Sequence, residues 1–148
     1  MHRLNRFINL PFADQWLLVK IVFVMGCVWL GLRLLPFQKV YQLLGKLAHP
    51  KRVASVQTGQ VEKISDWVGK LGRYFLGEDS CFPQSLTAQL LFSRSGLNPD
   101  LRLGVAKGEK GALRAHAWVE LDGIIVVGGP VSIVQEYVPL GDLENNDL

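Results

Sequence analysis

Residues 79–97, Asp79-Ser80-Cys81-Phe82-Pro83-Gln84-Ser85-Leu86-Thr87-Ala88-Gln89-Leu90-Leu91-Phe92-Ser93-Arg94-Ser95-Gly96-Leu97, read as one helix with marked ends. Asp79 and Ser80 are capping candidates, Pro83 suits a first helical turn, and Gly96 is a natural stop. Leu86, Leu90 and Leu91 recur at helical spacing and supply an apolar face. The chain then changes period. Asn98-Pro99-Asp100 is a turn, Leu101–Ala106 a strand, and Lys107–Gly111 a polar, glycine-bearing turn. Arg114–Leu121 forms a second strand, Asp122-Gly123 a two-residue hairpin turn, and Ile124–Val127 a third strand. A helix followed by an antiparallel meander is an α+β pattern, with the helix packed on one face of the sheet.

Two residues in this half point to chemistry. Cys81 stands at the N-terminus of the helix, where unpaired backbone N–H groups favour a thiolate. The plain alternative for Cys81 is a buried, inert residue, the commoner state of any lone cysteine. His116 starts the strand stretch His116-Ala117-Trp118-Val119-Glu120-Leu121. Alternation sets His116, Trp118 and Glu120 on one face and Ala115, Ala117, Val119 and Leu121 on the other. A cysteine on a helix and a histidine on the strand it packs against come within hydrogen-bond reach. The imidazole then takes the thiol proton and later protonates a leaving amine. The plain alternative is a surface histidine on the polar face shared with Glu120.

A catalytic imidazole also needs an orienting group. With Asp122-Gly123 as a two-residue turn, Leu121 faces Ile124, His116 faces Gly129, and Gly128 lies diagonal to His116. The position expected for an orienting carboxylate is therefore glycine. Asp122 lies roughly 16 Å along the strand from His116. Gln135, Glu136 and Asp142 are downstream candidates, and a backbone carbonyl of Gly128-Gly129-Pro130 is another.

The first half is apolar and basic. Trp16–Leu35 is one hydrophobic stretch interrupted by Lys20 and Arg33, bounded by Pro11 and Pro36. It reaches the length of about 20 residues needed to span a bilayer only if Lys20 snorkels. The readings are a buried helix, a surface-lying helix, or membrane association through residues 16–35. It lacks the pattern of a secretory signal. Cys27, inside the run, reads as a small buried residue. Phe37, Val40, Tyr41, Leu44 and Leu47 mark a second helix, closed by His49-Pro50-Lys51-Arg52; Ser55–Gln60 is a loop. Val61, Ile64, Val68, Leu71 and Phe75 mark a third helix, and the residues after Leu140 read as an acidic, frayed tail. These patterns divide the chain into a helical arm at 1–60, a domain at 61–141 and a tail at 142–148.

Composition limits the function classes. The chain has 148 residues, a net charge of +3, 49% hydrophobic and 20% charged residues, enough apolar content for one packed domain. Residues 1–75 hold 11 Lys/Arg against 3 Asp/Glu, and residues 76–148 hold 5 against 10. The basic residues are scattered among apolar ones rather than set on a reading element, which argues against a nucleic-acid partner. Two distant cysteines exclude a disulfide scaffold and a cysteine-rich zinc module, and fit a reducing, cytoplasmic compartment. His2, His49 and His116 lack metal-ligand spacing, so no metal is expected. No Walker pattern is present, and no cofactor is expected.

Three segments together carry a resemblance: Cys81-Phe82-Pro83-Gln84-Ser85-Leu86; Gly96–Val105; and Ala115-His116-Ala117-Trp118-Val119-Glu120-Leu121-Asp122-Gly123. They resemble the transglutaminase-like cysteine peptidases of lasso-peptide biosynthesis, typified by the C-terminal domain of the microcin lasso-peptide processing protein. The best match spans about residues 77–130, and the preceding helical segment ending Leu34-Leu35-Pro36-Phe37 looks like that family's arm. The resemblance implies a transglutaminase-like, papain-like α+β core preceded by an apolar helical arm. It implies Cys81 as nucleophile and His116 as general base and acid. Family members carry an aspartate on the strand after the histidine, where this chain has Gly128 or Gly129. It further implies removal of the leader from a ribosomally made precursor before macrolactam formation. The implied partners are the precursor leader, a separate leader-binding protein and a lasso cyclase. A transglutaminase-type amide transfer uses the same Cys–His chemistry. A degenerate, non-catalytic binding protein, membrane-associated through the arm, is the other reading.

Overall fold

A computed structural model describes residues 11–48 and 58–142 of the chain. Four helices precede the sheet: α1 (Phe12–Leu34), α2 (Phe37–Leu47), α3 (Thr58–Leu76) and α4 (Cys81–Arg94). Strands β1 (Pro99–Lys107), β2 (Leu113–Leu121) and β3 (Ile124–Val127) follow, then a one-turn helix α5 (Val131–Val134) and β4 (Val138–Asp142). The sheet is antiparallel with strand order β3-β2-β1-β4. The architecture is the α+β arrangement expected, with the apolar helix at its N-terminal end.

The central helix is α4. Gln84–Ala88 and Leu90–Phe92 are buried, on every side of the helix. A helix buried all round must sit between layers. The sheet covers one side of α4, and α1, α2 and α3 cover the other. Leu86, Ala88, Leu91 and Phe92 join Leu101, Val119 and Val127 of the sheet in one core. Ile21, Met25 and Val28 of α1, Val40 and Leu44 of α2, and Ile64 and Val68 of α3 belong to that same core. The apolar helices of the first half thus pack directly on α4. Each fully buried Leu, Val or Phe here contributes about 1.5–3 kcal/mol.

Alternation along β2 holds. Val119 and Leu121 pack toward the helices, while Trp118 forms a second small core with Val134 and Tyr137 on the other face. Several expectations are corrected. A fourth strand, β4, pairs with β1 and takes in Gly141 and Asp142, which the sequence places in the tail after Leu140. Pro139 and Gly141 disguise it, and its place at the sheet edge tolerates them. Cys27 is exposed rather than buried. Phe75 and Leu47 lie on the solvent side of their helices. The two-residue turn exists, with Leu121 opposite Ile124, but Val119 pairs with Val127 across a bulge. Of the loop expected at Ser55–Gln60, Thr58–Gln60 instead form the first turn of α3; His49–Arg52, Ser55–Gln57 and residues 143–148 lie outside the described residues.

Candidate active site

The sheet edge creates the site. After the Val119–Val127 pair, β3 leaves β2, and among the described residues no strand pairs with the edge of β2 near His116 and Ala117 on that side. The N-terminus of α4 occupies this edge. Cys81, the first residue of α4, is half-buried there, on the same cleft as the His116 imidazole. The backbone N–H groups of Ala117, on the strand, and Phe82, in the first helical turn, favour the thiolate. The two residues singled out in the sequence are thus brought together.

The imidazole is held on its other side as well. Its Nε2 lies 2.5 Å from the carbonyl oxygen of Gly128. A carbonyl only accepts, so Nε2 carries the proton and donates, leaving Nδ1 for Cys81. The orienting group is therefore a backbone carbonyl. Gln135, Glu136 and Asp122 do not line the site. Glycine at 128 is a geometric requirement. Its φ is +110°, and an added Cβ would fall 2.4 Å from Trp118 Cβ and 2.8 Å from the Ala117 carbonyl oxygen. The bulge and this φ turn the Gly128 carbonyl toward the ring.

Aromatic rings brace the imidazole. It stacks on Tyr137 at 5.0 Å and 30°, and on Trp118 at 6.2 Å and 20°. Both aromatics are buried, and Gly104, opposite His116 on β1, leaves room for them. Trp118 Nε1 donates to Glu120, which also faces Arg102. Arg114 donates to the Tyr137 hydroxyl. Tyr137 was not singled out in the sequence because it enters the site only through β4.

The electrostatics favour an ion pair. Burial pushes the Cys81 thiol up, but four effects together outweigh it: the hydrogen bond from His116, the Ala117 N–H, the imidazolium charge and the Phe82 N–H. The net result lies below the ordinary thiol range. The hydrogen bond to Cys81 raises His116 above the ordinary imidazole range. Burial opposes this, the Gly128 carbonyl and the thiolate charge reinforce it, and Arg114 opposes it. Both shifts favour the thiolate–imidazolium form.

A cleft of about 600 Å³ opens beside the pair, between α3, the start of α4 and the end of β3. Gln84 lines it one helical turn after Cys81 and is buried. The Ser80 hydroxyl donates its one hydrogen to the Gly77 carbonyl, so it accepts from Gln84 Nε2 at 2.6 Å. Gly72 of α3 makes room, because a Cβ there would fall within 2.4–2.6 Å of the Gln84 side chain. Gln84 is a site residue that the sequence reading missed. The only signal was its spacing from Cys81, since the pocket that buries it comes from α3. Among the described residues, no group of three or more His, Cys, Asp and Glu is placed to hold a metal.

A comparison with family models matches residues 25–141 to a family described as the transglutaminase-like superfamily. Searches of curated proteins and of solved structures give no significant match. The matched region begins within α1 and ends within β4, taking in every element between them.

Proposed function

From the chain's membership of the transglutaminase-like superfamily, which includes cysteine peptidases, we propose that it is a thiol peptidase that removes the leader from a lasso-type precursor peptide. The observation that carries the catalytic part is that Cys81, at a helix N-terminus, and His116 line one cleft, with the Gly128 carbonyl on the ring's Nε2. The lasso-precursor part rests on the resemblance of residues 77–130 alone.

The proposed mechanism uses the groups at this site. The Cys81 thiolate attacks the scissile carbonyl carbon, and the carbonyl electron pair moves onto oxygen. That oxyanion is met by the Cys81 N–H, an unpaired first-turn donor, and by the Gln84 amide. Collapse breaks the C–N bond as His116 gives a proton to the leaving amine, and a thioester remains. A water molecule then loses a proton to His116 and attacks the thioester. Collapse of that adduct restores thiolate and imidazolium. The Gly128 carbonyl keeps the imidazole in one tautomer, but as a neutral group it stabilises the imidazolium less than a carboxylate would. The liberated amine is the group that a separate cyclase would join to an Asp or Glu side chain. A separate leader-binding protein would deliver the precursor.

The assay is incubation of the full chain with candidate precursor peptides and the leader-binding partner, followed by mass spectrometry. The expected result is a single cut between leader and core that Cys81→Ala abolishes. A cut that survives Cys81→Ala overturns the reading. The second reading, a non-catalytic precursor-binding protein, is favoured by one observation, the neutral carbonyl in place of a carboxylate. It predicts precursor binding with no cut.

A further inference from the structure

Helix α1 carries two apolar stripes where a surface helix carries one. The first, Leu18, Ile21, Met25 and Val28, is buried against the domain. At about 100° per residue, Phe12, Trp16, Val19, Phe23, Leu30 and Leu34 fall on the opposite side. Each of these six is at least half exposed. An ordinary surface helix would place polar residues there. Lys20 and Arg33 flank the exposed stripe on its two sides.

The stripe continues into a groove of about 530 Å³ between α1, α2 and the C-terminal half of α4. Phe23 belongs to both. Cys27, Leu43, Leu47 and Leu90 extend the apolar lining, and Lys20 and Arg94 are its charged members. Across α1 and α2 the charged residues are Lys20, Arg33, Lys39 and Lys46 against Asp14 alone. Asp14 is paired with Lys63 of α3 at 2.7 Å. Aromatic and aliphatic side chains within a basic surround are complementary to an anionic lipid surface. The stripe, about 35 Å long, is longer than a short peptide ligand needs.

We propose that this face seats the protein on an anionic membrane surface, with α1 lying in the interfacial plane rather than crossing the bilayer. Length and mean hydropathy would allow α1 to span, with a mean of 2.1 over its apolar window. Its packing favours the flat arrangement. Spanning would strip Ile21, Met25 and Val28 from the core they share with Val68 and Leu86, and would separate Asp14 from Lys63. The proposal is independent of the cysteine chemistry.

Flotation of the full chain with lipid vesicles tests it. One set is phosphatidylcholine, and the other contains about a third phosphatidylglycerol. The expected result is binding to the anionic set, weaker binding to the neutral set, and release by alkaline carbonate. The double variant Phe23→Glu with Leu30→Glu alters only exposed positions, and circular dichroism and thermal melting check that its fold is intact. Its binding is expected to fall roughly tenfold or more. Trp16→Glu, at another point of the stripe, serves as a second variant. The proposal is overturned if the wild-type chain ignores both vesicle sets, or if the folded variants bind as well as wild type. Resistance to carbonate, meaning a true span, also overturns it. So does a lipid-free dimer that the same substitutions dissolve while vesicles go unbound.

Discussion

Replacing Gly128 with alanine is expected to loosen the imidazole without touching it. The new Cβ would stand 2.4 Å from Trp118 Cβ and 2.6 Å from its Cα, where apolar contacts ordinarily settle at about 3.5–4.0 Å. Backbone lies on both sides of the clash, so the Gly128 segment must retreat by on the order of 1 Å. That carries its carbonyl from 2.5 Å to beyond hydrogen-bond range of Nε2. A hydrogen bond to a charged group contributes about 1.5–3 kcal/mol. Losing it destabilises the His116 imidazolium, and with it the charge that supports the Cys81 thiolate, so Cys81 becomes reactive only at higher pH. Gly129→Ala is the matched control. Its φ is +104°, but the nearest neighbour of an added Cβ is Ile133 at 3.8 Å. It meets backbone strain of on the order of 1–3 kcal/mol with no clash at the site. The assay is the rate of iodoacetamide alkylation at Cys81 against pH, with denaturant unfolding to confirm that both variants are folded. A folded Gly128→Ala protein with an unshifted profile would refute the carbonyl's role.

Gln84→Leu removes the amide while keeping much of the side-chain volume. Peptide turnover is expected to fall by about 10²–10³, while alkylation of Cys81, which develops no oxyanion, keeps its low-pH profile. Phe92→Ala empties a fully buried position between the sheet and α1–α3. Urea unfolding is expected to show a loss of about 3–5 kcal/mol, and a loss under about 1 kcal/mol would mean α4 is not central. Tyr137→Phe removes the hydroxyl that Arg114 holds but keeps the ring stacked on His116. Turnover within about threefold of wild type is expected, against a larger loss for Tyr137→Ala.

Much of the fold could be read locally. The helix from Cys81, the three meander strands and the Asp122-Gly123 turn all carry short-range signals: Pro83, Gly96, alternation and a left-handed turn pair. The parts that escaped depend on residues far apart in the chain. Val138–Asp142 looks like loop because of Pro139 and Gly141, and becomes a strand only through pairing with β1. The bulge at Val119–Val127 alters the simple register count past the hairpin, so the Gly128 carbonyl, rather than a side chain opposite His116, meets the ring. Hydrophobicity alone does not divide α1 into a buried stripe and an exposed one, because both are apolar. Cys27 was misplaced for that reason. Gln84 reads as an ordinary helical glutamine until Gly72 of α3 is packed beside it.

The most direct test of the central claim is the pH dependence of iodoacetamide alkylation at Cys81 in wild type and in His116→Ala. Peptide mass spectrometry separates Cys81 from Cys27, which is also free and exposed. Thiolate is the reactive form, and the Cys81 thiol lies below its ordinary range while His116 lies above its own. Reactivity is therefore expected to persist below the pH at which a free thiol loses it, and to fall only as pH drops through the lowered thiol value. In His116→Ala the site loses its main stabilising partner while burial remains. Its reactivity is expected only as pH approaches or exceeds the ordinary value of about 8.5. A wild-type Cys81 that titrates like a free thiol, with no change in His116→Ala, would contradict the account.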